Sequence, residues 1–407
     1  MRLTGVGRVP NITRRNFLTA TVPAGFLSTV NSDATELLTD TPQFGPGTKL
    51  SATLLAVGDI ITHTPLLRSV RVSGRFDDYN FDPVFGPVTP LLRSGDWVIG
   101  NLETPLAGPK AAIRTYDGVK RGYTGYPFFN GPPSLASSLA RAGFTLLSTA
   151  NNHALDRWEN GVAATQQALE NAGIEHVGTR TTPDDDDRVC VVVRNGISLA
   201  FCAYTYGTNG IAMPPQSPWM VNVIDPDPMA RDFDRARAMD ADLIVCMLHF
   251  GPEYMRRPNR EQRDIVHMVF DLGADIIIGS HPHVVQPVEC RFSTGSDAHR
   301  TVVAYSMGNF LSNQHDPHTD LGAILRIKII KRPPAKAVIS SVDAEPTKVV
   351  NWYSESGRVY RIVSLRDIVD NGNDHGIPER LRIHMADELH SMEKHLGLST
   401  GLSCFPG

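Results

Sequence analysis

The sequence predicts an α/β fold, on three observations. Short apolar runs rich in Val, Ile and Leu alternate with amphipathic stretches from Ser51 onward. Each run ends in a polar or glycine-containing turn, as a strand buried on both faces does where it leaves the core. The stretches between carry helix punctuation, with glycine closing each and proline opening the first. In chain order the strand candidates are "ATLLAVGD", "DWVIGN", "FTLLSTAN", "DLIVCMLHF", "ADIIIGSH" and "TVVAYSMGN", whose branched and aliphatic side chains suit a pleated interior. The helix candidates are "PPSLASSLARAG", "ENGVAATQQALENAG" and "NREQRDIVHMVFDLG". "LGAILRIKII", "KVVNWY" and "RVYRIVSL" read as further strands, and one last helix is expected over "PERLRIHMADELHSMEKH". The organisation expected is an address and linker over residues 1–50, a main domain over 51–330, and strands and a helix over 331–407 that complete it.

Composition narrows the function classes. With 407 residues and 41% hydrophobic content, the chain can bury a large core. The 39 basic and 43 acidic residues give a net charge of −4, so no cationic excess attracts nucleic acid and no such partner is expected. Five cysteines are too few for a disulfide framework. Cys190, Cys202 and Cys246 lie in apolar runs and read as core thiols, while one disulfide stays open for Cys290 and Cys404. Near the start, Arg14 and Arg15 precede Phe17, Leu18 and a weakly apolar stretch, a pattern that resembles a twin-arginine export signal. That stretch is too short and too rich in Thr, Pro and Ser for a membrane span, which needs about 20 apolar residues. Export to an extracytoplasmic or cell-surface location is therefore expected, without a transmembrane helix. The acidic run Asp184 to Asp187 reads as a solvated loop.

The informative polar residues sit at the ends of predicted strands. They are Asp59, Glu103, Asn152 with His153, His249, His281 with His283, and Asn309. In an open α/β sheet, ligands bind beyond the carboxyl ends of the strands, so these residues are expected to converge although they are distant in sequence. Each alone has a plainer role: a strand-end histidine usually hydrogen-bonds at the surface, Asp59 could cap a helix, and Asn152 and Asn309 are common turn residues. Their shared placement argues for a metal site. Imidazole, carboxylate and amide donors together suit Mn, Fe or Zn, whereas Ca or Mg favours oxygen alone, and the set lacks the thiolates of a structural zinc site. His63, four residues after Asp59, stays undecided.

Taken in order, "AVGD", "NLETPL", "TANNHALD", "LHFGPEY", "GSHPHVVQPVE" and "YSMGNF" resemble the motifs of the CapA family, capsule and poly-γ-glutamate synthesis proteins that share the calcineurin-like metallophosphoesterase fold. The likeness runs from about Thr53 to Asn313, and "NNHALD", "GSHPHV" and "YSMGNF" in that order are its most specific part. It implies a four-layer α/β/β/α sandwich of the metallophosphoesterase type, with two central mixed sheets carrying the site on their loops. It also implies two divalent transition-metal ions: Asp59 and His283 on the first, Asn152, His249 and His281 on the second, and Glu103 bridging. His153 takes the place of the acid/base that meets the leaving group. Two departures from the wider phosphoesterase pattern stand out. Asp59 lacks the histidine expected two positions later unless His63 reaches round, and the bridging position holds Glu rather than Asp.

Two ions at such a site acidify a water and neutralise an oxyanion, which fits hydrolysis of a phosphoester and, by extension, attack on an amide. Asp156 either orients His153 or caps the following helix. Asn101, Glu253, Gln286 and Asn309 are expected to contact the ligands or the substrate. The expected function is that of a metal-dependent hydrolase or transferase acting on an anionic cell-surface polymer or a phosphoester, with a capsule-synthesis membrane complex as partner. A non-catalytic polymer-binding component and a metal-assisted epimerase are the alternatives. The basic segment from Gly108 to Tyr123, with Lys110, Arg114, Lys120 and Arg121, reads either as a grip on anionic polymer or as a solvated loop.

Overall fold

The computed structural model describes residues 47–73, 77–115, 118–183, 188–293 and 299–397, so Arg14, Arg15, Asp184 to Asp187 and Cys404 lie outside the described residues. The chain runs β1 (Leu50–Ile60), α1 (Thr64–Ser69), α2 (Asp82–Phe85), α3 (Thr89–Leu92), β2 (Trp97–Leu102), β3 (Ala112–Thr115), β4 (Gly118–Arg121), α4 (Ser134–Ala142) and β5 (Leu146–Ser148). It continues through α5 (Trp158–Asn171), β6 (Glu175–Val177), β7 (Cys190–Arg194), β8 (Ile197–Thr205), α6 (Pro226–Ala238), β9 (Leu243–His249), α7 (Arg260–Asp271) and β10 (Ile276–Ser280). The last third holds β11 (Val288–Phe292), β12 (Arg300–Ala304), β13 (Asn309–Leu311), β14 (Leu321–Lys331), β15 (Val338–Ser354), β16 (Gly357–Ser364), α8 (Leu365–Val369), α9 (Glu379–Arg382) and α10 (Met385–Leu396).

An eight-stranded sheet has the order β16-β15-β14-β1-β2-β5-β6, with β13 also pairing β1, and a six-stranded sheet has the order β11-β12-β10-β9-β8-β7. Both are mixed: β1, β2, β5 and β6 are parallel and β14 to β16 antiparallel, while β8, β9, β10 and β12 are parallel between antiparallel edges. Period-two alternation sorts the side chains into layers. In β9, Val245 and Met247 enter the core between the sheets, while Ile244, Cys246 and Leu248 pack outward with Met229, Phe233, Val266 and Val269 of α6 and α7. In β1, Leu54 and Ala56 face the same inter-sheet core, and Leu55 and Val57 meet the helices on the other side. The result is the α/β/β/α sandwich.

The C-terminal elements differ from the expectation in detail. "KVVNWY" is only the end of β15, a 17-residue strand that contains Pro346. β16 pairs with β15 only from Thr347 onward, so the proline's missing N–H falls where that side of the strand has no partner. The expected last helix is two: α9 buries no side chain, Arg382 Nε folds back to donate to the Ile377 carbonyl (3.1 Å), and the helix restarts at Met385 on a buried stripe of Met385, Leu389, Met392 and Leu396. Cys190, Cys202 and Cys246 are free thiols and Cys290 is disulfide-bonded.

The approach of β13 to β1 shapes the end of the sandwich. Asp59 N donates to the Gly308 carbonyl at 2.9 Å, and a Cβ on Gly58 would lie 1.8 Å from that oxygen. Gly308 is itself left-handed at φ +66. Gly58→Ala is therefore expected to cost about 3 kcal/mol, the upper end of overpacking effects. A urea midpoint unchanged from wild type would contradict this close approach.

Candidate metal centre

Register brings the polar strand ends to one level. Asp59 stands opposite Asn101 on one side and Asn309 on the other, and in the second sheet His249 stands opposite Ser280. The loop that follows β10 then crosses to the first sheet: His281 N donates to Asp59 Oδ2 at 3.2 Å, and His283 Nδ1 lies 3.1 Å from the same oxygen. Both histidines have left-handed backbones, φ +96 at His281 and +57 at His283, with Pro282 between. Such conformations cost about 1–3 kcal/mol each in a non-glycine residue and persist only where the surroundings hold them. Here they turn two imidazoles toward the same cluster.

Glu103 lies at the middle. His249 Nε2 is 3.5 Å and His283 Nε2 3.9 Å from its Oε1. Asp59, Glu103 and His283 form one group whose ligand atoms all lie within 4.8 Å of one another, and Glu103, His249 and His281 form another. Both Glu103 oxygens are buried without a hydrogen-bond partner, as are His281 Nδ1 and Asn309 Oδ1. Buried polar atoms are nearly always satisfied, so a carboxylate bare at both oxygens among histidines is the arrangement expected of a cation site. Burial, and then the Asp59 charge, pushes the Glu103 carboxyl well above its usual range. Burial also acts on Asp59, but hydrogen bonds and charge from His283, with the Asn101 amide and the His281 N–H, outweigh it and hold that carboxyl low. Burial, followed by the neighbouring imidazoles, keeps His249 neutral, and burial lowers His281 to about 3. Neutral imidazoles are the metal-binding state of histidine, and a cation held among them would draw Glu103 back to its carboxylate form. The residues fit a divalent cation.

The other expected residues divide. Asn152 Oδ1 lies 3.0 Å from His249 Nε2 and so faces the cluster. His153 Nδ1 lies 2.8 Å from Asp156 Oδ2, which also accepts from Phe129 N at 2.6 Å, so Asp156 addresses the histidine and not the amides of α5. Asn101 Nδ2 reaches Asp59 Oδ1 at 2.7 Å and His249 Nδ1 at 3.2 Å. Glu253 stands exposed, grouped with His281 and His283. His63 is outside all of these groups: its Nδ1 accepts from Asn313 N at 3.1 Å, its ring meets Phe129 edge-on, and burial lowers it to about 4. Gln286 is occupied at both ends, accepting from Gln262 Nε2 (2.9 Å) and donating to the Met255 carbonyl (2.6 Å); it pins the loop bearing Glu253 to the capping box of α7. Asn309 Nδ2 is likewise used internally, on Gln314 Oε1 and the Thr319 carbonyl.

Several participants carry no strong mark in the sequence. Asn151 Nδ2 donates to Asn101 Oδ1 (3.2 Å) and the Leu102 carbonyl (2.8 Å), and Ser280 Oγ lies 2.9 Å from His249 Nδ1. Their only signal is adjacency to Asn152 and His281 at the same strand ends. Tyr206 packs 4.7 Å from the His281 ring and lies nearly parallel to His249 at 6.3 Å.

Residues 53–314 match the family described as Bacterial capsule synthesis protein PGA_cap. The chain belongs to that family. Among relatives of the PGA_cap protein, the Capsule biosynthesis protein CapA of Bacillus anthracis is 27% identical over 317 residues, 76% of this chain and 72% of that one. The PGA biosynthesis protein CapA of Bacillus subtilis (strain 168) is 28% identical over 264 residues, 64% of this chain and 65% of its own length. The NAD nucleotidase of Haemophilus influenzae is a more distant structural likeness, with TM-score 0.44 and 12% identity, covering 85% of this chain and 56% of the other.

Proposed function

We propose that this PGA_cap protein is an exported, metal-dependent hydrolase or transferase acting on poly-γ-glutamate or another anionic cell-surface polymer during its synthesis, export or trimming. The observation that carries the reading is Glu103, a buried carboxylate with both oxygens unpartnered between Asp59 and His283 on one hand and His249 and His281 on the other. Two divalent ions, Mn, Fe or Zn, would share it, with Asn152 completing the second set. Bound there, such ions supply acidified water and neutralise charge on an oxyanion. The chain's own residues supply proton handling and orientation. Asp156 Oδ2 accepts a hydrogen bond from His153 Nδ1–H, fixing the tautomer and leaving Nε2 as the atom that exchanges a proton with the leaving group.

The names of the two CapA relatives support a capsule polymer as substrate and a capsule-synthesis complex as partner. The disulfide at Cys290 and the paired Arg14 and Arg15 support an oxidising, extracytoplasmic location. No helix among the described residues is long and apolar enough to cross a membrane. A non-catalytic polymer-binding role is the second reading. What favours it is the engagement of His63 with the Asn313 backbone, which leaves Asp59, Glu103 and His283 as the first ion's protein ligands.

Metal content of the purified protein tests the centre. About two transition-metal ions per chain are expected in the wild type, and about one in His281→Ala and in His283→Ala. A wild-type chain without bound transition metal after reconstitution would overturn the hydrolase mechanism.

A further inference from the structure

The turn that follows β8 places Tyr206 and Asn209 beside the candidate centre, and neither belongs to a motif recognised in the sequence. Asn209 is left-handed at φ +50, a conformation that asparagine tolerates better than most residues. Although exposed, its amide is engaged at both ends. Oδ1 accepts from Asn152 Nδ2 and from the Tyr206 hydroxyl, each at 3.3 Å, and Nδ2 lies 3.5 Å from His153 Nε2. With Asp156 Oδ2 placed to accept a hydrogen bond from His153 Nδ1–H, Nε2 is the acceptor end of the ring in that tautomer, and the Asn209 amide is placed to donate to it.

These contacts have a direction that matters for Asn152. A primary amide offers oxygen or nitrogen to its surroundings with nearly the same shape, so a neighbour must choose its orientation. The acceptor at Asn209 Oδ1 draws Asn152 Nδ2 outward, which leaves Asn152 Oδ1 toward His249 Nε2 and the ligand cluster. An amide turned the other way would present N–H groups to a cation. The same side chain therefore favours Asn152 Oδ1 as the inward atom, together with the Tyr206 hydroxyl that also meets the Asn152 amide, and stands over His153 Nε2.

We propose that Asn209 is a positioning residue of the metal centre, holding the Asn152 amide oxygen-inward and occupying His153 Nε2 until a substrate takes its place. The inference rests on the metal-centre reading above and adds a residue outside the recognised motifs. Outer contacts of this kind change metal affinity by about 10–100-fold when lost.

The test is Mn²⁺ titration by calorimetry on the full chain, with melting in chelator as the control for folding. Asn209→Ala is expected to bind Mn²⁺ about 10-fold more weakly than wild type with an unchanged melting midpoint in chelator. Asn209→Asp keeps the acceptor for Asn152 Nδ2 and is expected to stay within about 3-fold of wild type. Wild-type affinity in the alanine variant, or equal weakening of the two variants, would overturn the proposal. A wild-type protein that binds no Mn²⁺ would overturn the metal-centre reading and this inference with it, so the two failures are told apart by the wild-type titration alone.

Discussion

Glu103→Gln is expected to raise the melting temperature of the metal-free protein and to abolish its stabilisation by metal. The glutamate is fully buried, unpartnered at both oxygens and crowded by Asp59, so burial and like charge both work against its ionised form. At neutral pH the metal-free fold must hold a proton on Glu103 or bury its charge, a cost of about a few kcal/mol relative to the unfolded chain; an amide of the same shape removes that cost, which corresponds to a rise of about 5 °C. In the wild type, a cation bound there would reverse that penalty. Ligand present at about 1,000 times its dissociation constant stabilises by about 4 kcal/mol, and the glutamine variant, lacking the shared carboxylate, should lose nearly all of it. Thermal melts with chelator and with Mn²⁺ read both effects. A glutamine variant that melts lower in chelator yet keeps the Mn²⁺ shift would refute the assignment of Glu103 to the cation.

His153→Ala is expected to lower turnover by about 10²–10⁴-fold while metal content stays at the wild-type level. The separation follows from geometry. His153 belongs to neither ligand group around Glu103, and its ring is held by Asp156 on one side and packed edge-on against Phe129 at 4.7 Å on another. On the proposed hydrolase reading, removing it takes away the proton carrier without touching the carboxylates or the other imidazoles. Asp156→Asn should fall between the variant and the wild type, since an amide can still meet the ring but no longer selects the Nδ1–H tautomer. The assays are phosphoester hydrolysis and cleavage of γ-glutamyl amides, each alongside metal analysis. A polymer-binding protein would show no turnover to lose and an unchanged retention of polymer in the variant.

Much of the architecture could be read along the chain because its central strands are buried on both faces. β1, β2, β9 and β10 are continuous apolar runs, and such runs announce themselves. β15 did not, because Pro346 and a scatter of Ser and Asp interrupt it; the strand survives as an edge up to that proline. Helix α6 was hidden for a different reason. Its buried face includes Asp232, which takes Arg188 and the Tyr204 hydroxyl, so a charge sits in the middle of what would otherwise be an apolar stripe. The polar strand ends were readable as residue types at a shared topological position. Gln286 and Asn309 shared that signature, yet their amide donors serve the scaffold, because a polar residue near a strand end also serves to fasten the loops.

By itself the sequence determined the α/β alternation, the strand ends that carry carboxylate, amide and imidazole, and the order of motifs that places the chain in its family. Only the tertiary structure decided which of these groups meet. Asp59 and His281 are 222 residues apart and touch because the two sheets stack and the loop after β10 crosses between them. The left-handed backbones at His281 and His283, the bare oxygens of Glu103 and the reach of Asn209 over Asn152 and His153 all arise from that crossing and from neighbouring loops. Local propensity sets the elements; the packing of two sheets sets the distances on which the chemistry depends.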